Sequence, residues 1–153
     1  MCIRDSSGIG GKPKDVLSVA AAWFDYDNDG KLDLIVSNYT VWTPQTDKIC
    51  GSNGREYYCH PRVYTNVAHR LYHNLGNGRF EDVTETSGFG KELGKGMGIA
   101  IADFNGDGYM DVFVANDTVR NLSLIHIYRC RAMWWNSTTP CSGIWALTGT
   151  GRR

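Results

Sequence analysis

Two segments of the chain, residues 25–36 and 103–114, repeat one pattern at an offset of 78 residues. Each places oxygen-bearing side chains at positions 1, 3, 5 and 9, a glycine at position 6, and an apolar β-type run at its end. Oxygen ligands from alternate residues of a tight loop are how a chain surrounds a hard cation such as Ca²⁺. The glycine permits the sharp turn that makes them converge. The repeat therefore predicts two similar cation-binding loops.

Two other kinds of loop share part of this pattern. Asp-Gly and Asn-Gly turns in β proteins often carry acids that are merely solvated, but two copies with the same apolar run after them argue against that interpretation. An EF-hand-type loop needs a bidentate acid at position 12 and a helix on its exit. Position 12 is Val36 in one copy and Val114 in the other, and both runs favour a strand. The loops are therefore predicted to be turns between strands.

Short apolar and β-prone runs flank both loops, and the 18 glycines also favour a turn-rich β protein. Asn77-Gly78 is a strong tight-turn signal and predicts a further hairpin, whereas residues 88–95 are expected to form a Gly/Lys loop. Repeats on this scale, each built from a few strands, indicate a propeller or a solenoid. The predicted strands are 16–24, 34–36, 70–74, 79–84, 97–102 and 112–114.

A long polar and aromatic insertion, at about residues 39–69, interrupts the first repeat. Connections of this length are usually functional or cross-linked. A disulfide between Cys50 and Cys59 is favoured over metal ligation, given an oxidising compartment, because no Cys-x-x-Cys is present. The insertion has four aromatic residues for which a local core is favoured over a ligand-binding face: Trp42, Tyr57, Tyr58 and Tyr64.

Both ends of the chain depart from the repeat. Residues 1–6 show no structural pattern, and residues 122–153 lose the periodicity, although 122–128 could form a strand. The letters MCIRDS and LSLIHIYRCR resemble translated sequencing-adapter read-through, so both segments are expected to be non-native. The repeats then occupy residues 7–121.

Charge and hydropathy exclude some classes of partner. The chain has 16 basic and 16 acidic residues, which gives no reason to expect nucleic acid or a membrane surface. No apolar run approaches the roughly 20 residues that span a bilayer. No signal peptide is visible, which, in a chain that otherwise looks extracytoplasmic, suggests a missing N-terminal segment.

Catalytic patterns are absent from the sequence. There is no Ser-His-Asp order and no nucleophile elbow, and neither acidic loop contains a histidine. The glycosylation sequons at Asn38 and Asn116 fall on the same position of the repeat, so a structural role for these two side chains is favoured over glycosylation. The histidines are scattered at His60, His69, His73 and His126.

The combination of motifs resembles the FG-GAP/VCBS repeat family. That family's pattern consists of a small apolar run, the Asp-x-[Asp/Asn]-x-Asp-Gly-x-x-Asp loop, a [Leu/Val]-x-Val strand and an Asn, and this chain follows it. In addition, the segment 71–84 resembles the family's LYxN…GxFxDVT hairpin. The Cys-containing insertion narrows the resemblance to CRTAC/ASPIC-UnbV-like members. The resemblance to the family covers about residues 10–121. One departure is Ala115-Asn116-Asp117, where other FG-GAP repeats have Gly-Ala-Pro.

This resemblance implies an all-β fold of propeller blades, here an incomplete β-propeller, with Ca²⁺ bound in a hairpin loop of each blade that carries the loop motif. Side chains at loop positions 1, 3, 5 and 9 and the backbone carbonyl at position 7 would be the ligands. Since ligand charge tunes affinity, the all-Asp first site is expected to bind Ca²⁺ more tightly than the second. The implied ligands are Asp25, Asp27, Asp29, Lys31 and Asp33 in the first site, and Asp103, Asn105, Asp107, Tyr109 and Asp111 in the second.

The same resemblance implies a function. The chain would be a calcium-binding module whose loops are held by a structural metal. It would belong to a secreted protein, extracellular, periplasmic or at the cell surface. It would serve adhesion by binding a protein or glycan ligand. The remaining blades of the parent propeller would be its other partners. The module itself is expected to be non-enzymatic. The alternative is a non-catalytic fragment of a propeller-fold polysaccharide lyase or hydrolase.

Overall fold

A computed structural model describes residues 7–9, 15–52, 54–125 and 145–146. Between residues 15 and 125 the elements are β-strands and two short 3-10 helices, Pro61–Val63 and Phe89–Lys91. Residues 1–6 and most of 122–153, the two segments expected to be non-native, lie outside the described residues. The strands are β1 Val16–Phe24, β2 Asp33–Val41, β3 Cys50–Ser52, β4 Arg55–Tyr57, β5 Val67–Ala68, β6 Arg70–Gly76, β7 Arg79–Asp82, β8 Leu93–Gly94, β9 Gly96–Ala102, β10 Asp111–Asn116, β11 Leu122–Ile125 and β12 Trp145–Ala146.

The first four-stranded sheet of the described chain is antiparallel, with the order β1-β2-β6-β7. Phe24 pairs with Asp33, so residues 25–32 form the connection between β1 and β2. A two-residue turn joins β6 to β7, and Asn77 and Gly78 within it both have positive φ, 53° and 72°. This is the type I′ conformation that Asn-Gly favours, because its twist matches that of the strands. Both predicted hairpins are therefore present.

The second four-stranded sheet among the described residues has the order β9-β10-β11-β12. Ala102 pairs with Asp111, which leaves residues 103–110 as the connection between β9 and β10. This closing pair is the counterpart of Phe24 and Asp33 at the offset of 78 residues. The β1–β2 and β9–β10 hairpins are therefore structurally equivalent, and each carries one acidic loop.

The apolar core lies where the two sheets face each other, because β9 packs against both β1 and β2. Burying one large apolar side chain contributes about 1.5–3 kcal/mol. Phe89 is a member of this core although it was predicted to lie in a Gly/Lys loop, since a 3-10 helix turns its ring inward. The buried cluster consists of Phe24, Tyr26, Ile35, Leu71, Phe89, Val112, Val114 and Leu122.

Buried polar groups accompany this core. The His69 side chain is fully buried, and its Nδ1 accepts the backbone N–H of Asn38 at 3.2 Å. Burial lowers the pKa of His69, because the protonated ring would lose its hydration. Burial also lowers the pKa of Lys95, whose Nζ donates to the carbonyl of Tyr64 at 2.6 Å. That bond ties the insertion to the second repeat.

The insertion has its own small framework. β3 and β4 form a hairpin, and a disulfide joins Cys50 to Cys59 with a Cα–Cα distance of 5.1 Å, as predicted. β5 pairs with β8, which connects the insertion to the segment before the second repeat. Residues 39–41 belong to β2, so the irregular part of the insertion begins after Val41.

The aromatic residues of the insertion do not form the local core that was predicted. Tyr57 and Tyr58 are 62% and 101% exposed. Trp42 Nε1 and the Tyr64 hydroxyl instead donate to the same oxygen of Asp47, at 3.1 and 3.2 Å. The insertion is held by its disulfide and by these hydrogen bonds rather than by packed rings, which leaves the two tyrosines facing solvent.

Candidate metal centres

The first acidic loop is shaped by carboxylates that accept backbone N–H groups. Asp25 Oδ1 accepts from Asp29 at 3.1 Å, and Asp25 Oδ2 accepts from Gly30 at 2.8 Å. Asp29 Oδ1 accepts the N–H of Lys31 at 2.8 Å. Gly30 has a φ of 83°, a left-handed conformation that glycine adopts without strain. These bonds fold the loop so that its acidic side chains point toward its interior.

Asp33 anchors the end of the first loop. Its side chain is fully buried; Oδ2 accepts the N–H of Tyr26 at 3.0 Å, and Oδ1 accepts the N–H of Asn74 at 2.7 Å. Burial raises the pKa of Asp33, and the two backbone donors partly offset that rise. The carboxylate therefore connects the loop to β6 as well as closing the hairpin.

The second acidic loop repeats these bonds at the offset of 78 residues. Asp103 accepts the N–H groups of Asp107 and Gly108 at 3.1 and 2.8 Å. These two residues correspond to Asp29 and Gly30, whose N–H groups Asp25 accepts in the first loop. Asp111 is fully buried, and its Oδ2 accepts the N–H of Phe104 at 2.9 Å. The backbone donors, Gly108 first, lower the pKa of Asp103. Two sequences with different residues at the intervening positions thus adopt one loop geometry.

His73 belongs to the first site, although neither acidic loop contains a histidine. Leu34 pairs with Tyr72, so the next residue on β6 lies beside Asp33. His73 Nδ1 is 3.2 Å from Asp33 Oδ1 and 3.7 Å from Asp27 Oδ2, and the ring packs edge-to-face on Tyr26. The proximity of His73 follows from the pairing of β6 with β2, not from the spacing of the acids, so the sequence carried no local signal for it.

Residues 46–114 match the FG-GAP-like repeat. This span contains most of the insertion, the β6–β7 hairpin and most of the second loop hairpin. The chain therefore contains an FG-GAP-like repeat. The first loop precedes the matched span, and its hydrogen bonds are those of the FG-GAP loop at 103–111.

Curated relatives support the predicted CRTAC type. Over 82 residues, 53% of the chain, it is 34% identical to cartilage acidic protein 1 of Mus musculus. Over 46 residues, 30% of the chain, it is 41% identical to cartilage acidic protein 1 of Homo sapiens. These alignments span 12% and 7% of the relatives' own lengths. No solved structure matches the chain.

The fold agrees with the family. The two four-stranded sheets of the described residues are antiparallel and packed face to face, and they do not close on each other. A propeller repeats such sheets radially around a central channel, typically with 4–8 blades. The FG-GAP chain is therefore all-β, with the architecture of an incomplete β-propeller.

The donor set of the first FG-GAP loop fits a divalent cation. Two groups of three residues among those described place their ligand atoms within 4.8 Å of one another, Asp25–Asp27–Asp33 and Asp27–Asp29–His73. Asp27 belongs to both; its side chain is 8% exposed, and its buried Oδ1 has no hydrogen-bond partner among the described residues. A buried carboxylate oxygen without a donor is costly unless a cation compensates it. The arrangement therefore suits a metal ion.

The remaining predicted ligands lie in the same loops. The Lys31 ammonium pairs with Asp29, and this hydrogen bond lowers the pKa of that carboxyl. Asn105 Oδ1 accepts the N–H of Asp107 at 3.1 Å, and Asp107 Oδ1 accepts the N–H of Tyr109 at 2.9 Å. Cation binding by the Lys31 and Tyr109 carbonyls stays a prediction.

The repeated asparagine contributes hydrogen bonds within each repeat. Asn38 is buried, donates from Nδ2 to the carbonyl of Ala68 at 2.8 Å, and accepts from Ser18 Oγ at 2.8 Å. Asn116 donates to the carbonyl of Arg120 at 2.8 Å and accepts the N–H of Lys95 at 3.0 Å. Both amides act as donor and acceptor, which agrees with the predicted structural role.

No helix among the described residues is long and apolar enough to span a membrane.

Proposed function

We propose that this chain is a calcium-binding FG-GAP repeat module in which the metal has a structural role. The observation that carries the proposal is the repeated loop geometry, in which Asp25 and Asp103 accept corresponding backbone N–H groups. Carboxylate and carbonyl oxygens are the ligands that Ca²⁺ takes. When bound, Ca²⁺ supplies positive charge that offsets the repulsion among the loop carboxylates.

In the proposed sites, the side chains at loop positions 1, 3, 5 and 9 and the carbonyl at position 7 hold the ion. Asp33 and Asp111 have their orientation fixed by backbone donors before a metal arrives. Binding therefore stabilises the hairpin that carries each loop, because a cation that binds only the folded loop adds its binding free energy to folding.

Thermal unfolding of the full chain with Ca²⁺ and with EDTA tests this proposal. We expect a higher Tm with Ca²⁺, and a smaller increase when Asp25→Asn and Asp103→Asn are combined. A Glu56→Gln variant is the control, because Glu56 is an exposed acid on β4 outside both loops. An unchanged Tm on chelation would count against both sites.

We infer further that the module is part of a secreted scaffold that binds a protein or a glycan without catalysis. The Cys50–Cys59 disulfide supports an oxidising location, extracellular, periplasmic or at the cell surface. The exposed rings of Tyr57 and Tyr58 lie on the cross-linked insertion, and exposed aromatic side chains are common at interfaces.

A glycan array and a pull-down with the full chain, each compared with a Tyr57→Ser, Tyr58→Ser variant, test the scaffold role. Saturable binding that depends on the two tyrosines is expected, with the polysaccharides that bind left intact. Turnover of a polysaccharide by the wild-type chain would refute the non-catalytic proposal.

A further inference from the structure

The two loops share one backbone geometry but differ in the side chains that surround them. The first loop has four Asp at positions 1, 3, 5 and 9, and His73 reaches it from β6. The second has an Asn at position 3. Among the described residues, the groups of three close acidic, His or Cys side chains occur at the first loop and not at the second.

His73 lies where a ligand to the first site would lie. One of its ring nitrogens is within 4.8 Å of ligand oxygens of both Asp27 and Asp29, and its side chain is 12% exposed. Its imidazole packs edge-to-face against the ring of Tyr26, a residue of the first loop. The site therefore differs from a set of solvated acids, because the largely buried His73 imidazole, which can act as a nitrogen ligand, lies beside a group of carboxylates.

Asp27 provides an independent indication of a missing ligand. Its side chain is 8% exposed, and its Oδ1 is buried without a hydrogen-bond partner among the described residues. Asp27 Oδ2 is the atom that lies 3.7 Å from His73 Nδ1. One oxygen of this carboxylate therefore has no donor while the other faces the imidazole, and a cation bound by the carboxylate would compensate the unsatisfied oxygen.

We propose that His73 is a direct ligand of the first loop, which gives that loop a mixed nitrogen–oxygen donor set that binds a borderline divalent transition ion such as Zn²⁺ in addition to Ca²⁺. Imidazole suits such ions, whereas all-oxygen sets suit Ca²⁺. The second loop remains an oxygen-donor calcium site. This inference rests on the proposed cation binding by the first loop and adds a metal class that the loop sequence does not indicate.

Zn²⁺ titration calorimetry with His73→Gln tests the inference. The full chain carries Cys2→Ser, Cys130→Ser and Cys141→Ser in every sample, so that thiols outside the disulfide do not bind Zn²⁺. We expect His73→Gln to weaken Zn²⁺ binding by at least about tenfold. Removing only a hydrogen-bond partner of a metal ligand already lowers metal affinity by about 10–100-fold, so removing the ligand itself should lower it at least as much. His60→Gln, an exposed histidine on the insertion, is the matched control and should leave the affinity unchanged.

Nitrogen-15 NMR of the imidazoles in the chain that retains His73 gives a second measurement, which remains available if His73→Gln does not fold. Zn²⁺ should move the His73 Nδ1 resonance, while Ca²⁺ should move it less. Equal Zn²⁺ affinity in the folded His73→Gln variant, or an unmoved Nδ1 resonance at saturating Zn²⁺, would overturn the inference and leave His73 as a hydrogen-bond donor to Asp33.

The calcium titration separates this inference from the proposed function. If Ca²⁺ binds both loops and Zn²⁺ binding shows no dependence on His73, the inference fails and the proposed function stands. If neither ion binds either loop, both fail.

Discussion

At the scale of single residues, Asp33 and His69 show how buried polar groups define this fold. Each accepts hydrogen bonding from backbone N–H groups of a neighbouring strand or loop. Each therefore fixes the position of that neighbouring segment as well as contributing to stability. Asp33 was predicted from the spacing of its loop. The proximity of His73 was not, because it depends on the pairing of β2 with β6 across 40 residues of chain.

Replacing Asp33 should destabilise the first sheet even without metal. Asp33→Ala leaves the N–H groups of Tyr26 and Asn74 without their acceptor, and each unsatisfied buried group costs about 1–3 kcal/mol. We expect the free energy of unfolding, measured by urea denaturation in EDTA, to fall by about 2–4 kcal/mol. Glu56→Ala, on the exposed β4, should stay within about 0.5 kcal/mol of wild type. A loss no larger than in that control would contradict the anchoring role of Asp33.

Stability should decrease in mild acid because of His69. Its pKa is lowered by burial, so the unfolded chain binds a proton below the ordinary value of 6.5 while the folded chain does not. The contribution of the neutral, buried His69 side chain to the free energy of unfolding is complete above pH 6.5 and is lost as the pH falls below that value. Urea denaturation between pH 7.5 and 5 measures it. His69→Asn, which keeps an oxygen acceptor for the N–H of Asn38, should show a shallower dependence; an identical slope would contradict this account.

At the scale of elements, the long strands were predictable and the short ones were not. Val16–Phe24 and the Asn77-Gly78 turn follow from apolar composition and from turn chemistry, which are local signals. β5 and β8 have two residues each and depend on pairing between distant segments. The exposed positions of Tyr57 and Tyr58 could not be predicted either, because local aromatic content does not indicate whether rings pack together.

The disulfide should stabilise the insertion rather than the sheets. Cys50 and Cys59 close a short loop, and removing such a cross-link costs about 2–3 kcal/mol in the chain-entropy model. In a Cys50→Ser, Cys59→Ser variant, amide hydrogen exchange in β3 and β4 should accelerate in line with that loss. Amides of β2 in the same molecule are the internal control. Equal acceleration in β2 would show that the disulfide supports the first sheet as well.

At the scale of the whole molecule, the described residues form two equivalent hairpins whose sheets bury a common core. Sequence repetition was sufficient to predict this equivalence, and the matching closing pairs Phe24–Asp33 and Ala102–Asp111 confirm it. The inward position of Phe89 was not predictable, because a Gly-rich segment gives no periodicity from which to infer which side chain turns inward. The loops lie at the ends of the hairpins, so the proposed cation would stabilise the blade without forming part of its apolar core.

Calcium titration calorimetry of the full chain tests the central claim most directly. We predict two bound Ca²⁺ per chain, with the first loop binding more tightly because it has four carboxylates where the second has three. Asp25→Ala should leave only the weaker site, and Asp103→Ala only the stronger one. No heat of binding in the wild-type chain, or two sites retained in either variant, would contradict the account.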